Sequence, residues 1–223
     1  MTFSIVARSH DGGHFGVAIA SSSPAVASRC AHARAGVGAV ATQNITDPSL
    51  GPTILNLLTR KGAGEAVRVA LGGTPFGAYR QLLAIGRTGP PALHSGAETL
   101  GIVSMKAGEH CAAAGNLLAN DSIPAKMVET FATSTGHLGE RLLQALEAGS
   151  AAGGEAGPVH SAGLYVVRDL GWPLVDLRVD WSEAPLADLR ATWRVYAPQI
   201  EDYVRRALNP GEAPRFGVPG DPA

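Results

Sequence analysis

The order in which strand-like and helix-like segments follow one another constrains this chain more than any other feature. Thr2–Arg8 is rich in β-formers and alternates, with Phe3, Ile5 and Ala7 set against Thr2, Ser4 and Val6, which predicts a strand. The stretch 10–14 (HDGGH) supplies tight-turn chemistry, so residues 15–20 (FGVAIA) are expected to pair back antiparallel. A third strand is expected over 35–43 (AGVGAVATQ), whose small and β-branched side chains suit a strand covered on both faces. Two helices follow. The first covers 50–61, with an Ile54, Leu55, Leu57, Leu58 stripe, and the second covers 65–71, ended by Gly72-Gly73.

Strands resume at 80–87 and Ala92–Ser95, with a broken stretch over 102–116. A second helix pair is then expected. One member begins after the cap-forming Asn120-Asp121-Ser122 with Pro124 in its first turn, and the other covers 138–147. Residues 148–158 (AGSAAGGEAGP) read as a flexible glycine-rich loop, followed by strands at 161–168 and 175–180 and a last helix over 185–208, capped by Ser182. Helices that come in pairs between runs of strands argue against a doubly wound parallel sheet. The pattern predicts an α+β fold: two antiparallel sheets face to face between helix layers, a four-layer αββα sandwich. One domain over 1–208 and a Pro/Gly-rich mobile tail over 209–223 are expected.

Charge and cysteine content narrow the function class. Lys plus Arg number 18 and Asp plus Glu 19, a formal net charge of −1, which excludes a basic nucleic-acid binder as the default. No apolar run reaches the length of a spanning helix, so no membrane partner is expected. Two cysteines, Cys30 and Cys111, provide no disulfide framework or cysteine metal centre, and a cytoplasmic setting is expected. Neither a metal nor another cofactor is expected. Open sheet edges need covering, and a homo-oligomer is one way of covering them.

Thr2 is the sharpest candidate residue. A small second residue permits removal of Met1, which would place a free α-amine beside the Thr2 hydroxyl. That amine has a reference pKa of about 7.7–8.0 and can accept the hydroxyl proton, so nucleophile and base share one residue. Asn116, at a Gly-Asn strand exit, is a candidate donor to a developing oxyanion. Gln43 and Asn44 offer amides at another strand end, and Arg80 can clamp a carboxylate bidentately. Ser161 opens the penultimate strand and can orient the amine. Each of these also has a plain reading as a cap, a strand-start residue or a surface ion pair.

The motifs MTFSIVAR, GVAIAS, AGVGAVATQN, Arg80-Gln81, AGNLL around Asn116, AGGE…SAGLYVV and DLRVDWSEAPL, in this order, resemble an uncharacterised bacterial "domain of unknown function" family of N-terminal-nucleophile (Ntn) hydrolases. The resemblance implies the αββα sandwich and an N-terminal Thr nucleophile acting through an acyl-enzyme. Proteasome-type relatives carry an acidic residue where Ser22 stands and a lysine on strand three, whereas here no lysine precedes Lys61. The family's Gln-Gly-Asn and Gly-Gly-Asp are replaced by Ala114-Gly115-Asn116 and Gly154-Glu155. The expectation is therefore hydrolysis of a C–N amide bond in a small metabolite, with Thr2, Asn116 and Ser161 catalytic and Ser22, Gln43, Asn44 and Arg80 lining the substrate site. The alternatives are a non-catalytic ligand-binding or assembly protein, or a hydrolase acting through Cys111 or an internal serine. The segment 36–41 (GVGAVA) matches a dinucleotide-site pattern but lacks a preceding strand and a following acidic residue. No Ser sits in a G-x-S-x-G elbow.

Overall fold

The structure is a computed structural model that describes residues 1–218. Its strands are β1 (Thr2–Arg8), β2 (Phe15–Ser21), β3 (Ala31–Arg34), β4 (Gly38–Asn44), β5 (Arg80–Gly86), β6 (Ala92–Ser95), β7 (Ser104–Ala107), β8 (Cys111–Asn116), β9 (Ser161–Val167) and β10 (Val175–Val179). Its helices are α1 (Val26–Cys30), α2 (Leu50–Leu58), α3 (Ala63–Gly72), α4 (Ile123–Thr133), α5 (Leu138–Ala151), α6 (Pro185–Tyr196) and α7 (Ile200–Leu208). One sheet has the order β10-β9-β2-β1-β8-β7 and the other β3-β4-β5-β6. Neighbouring strands are antiparallel throughout.

The alternation along β1 explains the layering. Phe3, Ile5 and Ala7 point to a core shared with Met127 and Phe131 of α4 and Leu142 and Leu146 of α5. Val6, with Phe15, Val17 and Ile19, packs between the sheets against Ala39, Ala41, Leu83 and Ile85. On the far side of the second sheet, Val40, Leu82 and Ala84 meet Ile54 and Leu55 of α2 and Val67 of α3. The result is the four-layer αββα sandwich, with β1 buried along its whole length. Burial of each large side chain in these layers contributes roughly 1.5–3 kcal/mol.

Several local expectations are corrected. The single strand expected over 35–43 is the second half of a hairpin, because Gly36 at φ 67° turns the chain and Val37 N–H donates to the Arg34 carbonyl at 3.1 Å. A strand, β3, therefore does precede the glycine pattern at 36–41, but an antiparallel turn follows it where a dinucleotide site needs a helix. Helix α1 has only five residues and no readable period. The loop expected over 148–158 is helical up to Ala151, and its glycines serve a tight reversal, with Gly153 at φ 127° and Gly154 at φ 59°. The last helix breaks into α6 and α7 through a 3-10 turn containing Pro198. Beyond α7, Arg206 stacks over Phe216 and donates to the carbonyls of Pro214 and Arg215. The remainder of the expected tail, 219–223, lies outside the described residues. Among the described residues no helix is long and apolar enough to cross a membrane.

Candidate active site at the end of the central strand

Thr2 opens β1, and even-numbered residues of that strand face the space between the sheets. The hairpin register pairs Phe3 with Ala20, which brings Thr2 beside Ser21 at the end of β2. The two hydroxyls are 3.2 Å apart, and both donate to the Met1 carbonyl oxygen. Ser21 Oγ also accepts the Ser23 N–H at 3.1 Å, which directs its own proton toward that carbonyl. Thr2 and Ser21 are buried, while Met1 is half-buried, so the strand reaches the surface within one residue of the hydroxyl pair.

A carboxyl closes the other side. The glycine reversal after α5 forms a bridge between Glu155 and Leu118, with Ala119 N–H donating to the Gly154 carbonyl at 3.0 Å. This holds Glu155 at 5% exposure, both of its carboxylate oxygens accepting from the Ser22 N–H at 3.1 and 3.2 Å. Burial pushes its carboxyl up to about 7, against the opposing pull of the chain-terminal amine, the Ser22 bonds and His160. His160 itself stacks on Trp181 with ring centroids 4.4 Å apart. A cavity of about 380 Å³ lined by Glu155, Gly157, Pro158, Glu183 and Leu186 adjoins this corner. A Cβ on Gly157 would lie 3.3 Å from Met1 Cε, so the Met1 side chain borders the same space.

Beneath the hydroxyls runs a chain of fully buried polar side chains. Ser4 Oγ donates to Gln43 Oε1 at 2.6 Å, and Gln43 Nε2 donates to Gln81 Oε1 at 2.7 Å. Gln81 Nε2 donates to the Gly115 carbonyl at 3.0 Å and to Ser95 Oγ at 2.8 Å. Asn116 Nδ2 donates to Gln81 Oε1 at 3.0 Å. The orientations are mutually fixed. A backbone carbonyl can only accept, so the Gly115 carbonyl sets Gln81, and Gln81 Oε1 in turn requires the nitrogen ends of Gln43 and Asn116. The free end of Asn116 is therefore its oxygen, which has no partner.

The seven residues singled out from the sequence divide accordingly. Thr2, Asn116, Gln43 and the backbone of Ser22 fall in one corner. Ser161 lies opposite Ser21, but its hydroxyl donates to the Ser23 carbonyl at 2.6 Å and accepts the Val26 N–H at 3.2 Å, so it shapes the 21–26 turn. Asn44, at φ 71°, donates to the Tyr79 carbonyl at 2.7 Å and accepts from Leu100 N–H, tying loops together. Arg80 donates to the Ile45 carbonyl, and its buried Nε has no partner. The sequence motifs contain Gln81 and Glu155 without giving either a role, and they single out neither Ser21 nor Ser4. A hairpin register counted from the turn finds Ser21, and the polar side chain on a buried face marks Ser4. Cys111 opens β8, at the end away from Asn116, and burial pushes its thiol up to about 12, which keeps it protonated near neutrality.

A family model described as "Family of unknown function (DUF1028)" matches residues 2–189. The crystal structure of protein SPO2555 from Silicibacter pomeroyi, assigned to the same family model, is 28% identical with a TM-score of 0.82, covering 92% of this chain and 90% of that one. Anbu (ancestral beta-subunit) from Yersinia bercovieri aligns over 90% of this chain and 97% of its own at 13% identity, with a TM-score of 0.39. No curated protein matches.

Proposed function

This chain belongs to the DUF1028 family, and we propose that it is an Ntn-type amidohydrolase acting on a C–N amide bond of a small molecule, with Thr2 as nucleophile. The observation that carries this reading is the convergence of the Thr2 and Ser21 hydroxyls on one carbonyl oxygen at the end of β1, beside the buried Glu155. Removal of Met1 frees the Thr2 amine and vacates the space bordering the Glu155 cavity. Thr2 Oγ1 then adds to the substrate carbonyl carbon while its proton passes to the α-amine. The amine returns that proton to the departing nitrogen as the C–N bond breaks, leaving an ester on Thr2. Water, deprotonated by the same amine, hydrolyses the ester. Ser21, already a donor to a carbonyl oxygen at this spot, is the side chain best placed to stabilise the tetrahedral oxyanion, a contribution typically of about 10²–10³ in rate. Ser22 contributes its backbone to the Glu155 carboxyl, and Gln43 supports the floor through Gln81.

The test is an amidase screen with protein that begins at Thr2. Thr2→Ala is expected to abolish turnover of any substrate found, while Thr2→Ser retains part of it. Full activity in Thr2→Ala overturns the mechanism. A second reading has an observation in its favour: with Met1 attached, both hydroxyls are engaged by its carbonyl, and the corner can only bind. Quantitative retention of Met1 in untagged protein, read by intact mass, selects that ligand-binding alternative.

A further inference from the structure

Asn116 Oδ1 is an acceptor without a donor in a fully buried site, and the orientations of Gln81 and Gln43 fix it as oxygen. Folded proteins leave few such buried acceptors without a donor. Thr2 is the residue across from it. Arg8 N–H donates to the His110 carbonyl at 3.0 Å, so β1 and β8 exchange paired bonds at every second residue, and Thr2 with Asn116 is one of these pairs. Their side chains therefore lie next to each other on one face. The Thr2 nitrogen already directs one hydrogen at the Asn116 carbonyl through that ladder. Loss of Met1 gives it further hydrogens and nothing in the ladder to receive them.

We propose that Asn116 is a positioning residue whose carboxamide oxygen accepts from the free α-amine of Thr2. Backbone carbonyl and side-chain oxygen of one residue then hold both N–H bonds of the neutral amine and turn its lone pair toward the Thr2 hydroxyl. Asn116 makes and breaks no covalent bond; the proton it helps to transfer runs from Thr2 Oγ1 to that lone pair. This rests on the reading of Thr2 as nucleophile, and it replaces the oxyanion-donor role expected for Asn116 from sequence. The titratable groups facing the terminus are Glu155 from the loop after α5 and Cys30 from α1, with His160 behind Glu155 and Glu183 3.8 Å from His160. From β1, β2 and β8 this end receives hydroxyls and amides.

The experiment measures the α-amine pKa by competitive acetic-anhydride labelling in protein cleaved from an N-terminal fusion to begin at Thr2. Asn116→Asp offers a charged acceptor and is expected to raise the pKa by about one unit, whereas Asn116→Leu, of similar shape, is expected to lower it by about one unit. A merely structural role does not move the amine in opposite directions. If folded variants leave it unmoved, or shift it the same way, the proposal fails. Should Asn116→Leu not fold, Asn116→Ala, which removes the acceptor without adding a charge, decides in its place, a lowered pKa supporting the assignment and any other result overturning it. Labelling needs no substrate, so the outcome is independent of the Thr2→Ala turnover test.

Discussion

Glu155 sits where burial works against its charge, and that has a measurable sign. Its carboxyl is near 7 in the folded chain against an ordinary value of 4.5. Between about pH 4.5 and 7 the native state holds a proton that the unfolded chain has released, so stability falls as pH rises through that window. Glu155→Gln is expected to flatten this dependence and to stabilise the fold above pH 7 by up to about 3 kcal/mol. Urea midpoints at low and high pH check it. Gln81 makes the complementary case. Its Oε1 accepts from both Gln43 and Asn116, so Gln81→Leu strands the Asn116 amide, leaves Gln43 Nε2 only the Ala114 carbonyl at 3.3 Å, and is expected to cost about 2–4 kcal/mol, read from denaturant unfolding.

At the scale of elements, the site depends on how β1, β2, β8 and α1 are clamped together. Gly163 of β9 lets α1 approach: a Cβ there would come within 2.3 Å of Ala27 Cβ. Gly163→Ala is expected to destabilise by about 1–3 kcal/mol through overpacking and to disturb the 21–26 turn that carries Ser21 and Ser22. Thermal unfolding together with turnover checks both effects. The strands around Thr2 were legible in the sequence because each alternates or ends at a turn, and that alone places Thr2 and Asn116 at strand ends. Helix α1 was not legible, since five residues carry no period. Glu155 stands where the resembled family carries Gly-Gly-Asp, but nothing local marks it as buried. Its burial comes from the end of α5 and a bridge to Leu118, a pairing across 37 positions in sequence, while the local composition around it reads as an unstructured loop. Asn116 was located correctly as a strand exit, but which end of its amide is free depends on Gln81, a partner 35 positions away.

For the whole molecule, the four layers are built on β1, whose first residue, Thr2, is buried, while Met1 just before it is half-buried and borders the space beside Gly157. Folding and chemistry therefore separate at the N-terminus. An uncleaved N-terminal extension is expected to leave the melting temperature unchanged and to abolish turnover, whereas a C-terminal extension is expected to alter neither; calorimetry and the amidase assay on the two proteins check this. The most direct measurement is adduct mapping: protein beginning at Thr2 is treated with a β-lactone, and the modified residue is located by peptide mass spectrometry. A single acyl adduct is expected on the Thr2 hydroxyl, absent from Thr2→Ala. An adduct on Cys111, on an internal serine, or on no residue at all contradicts it.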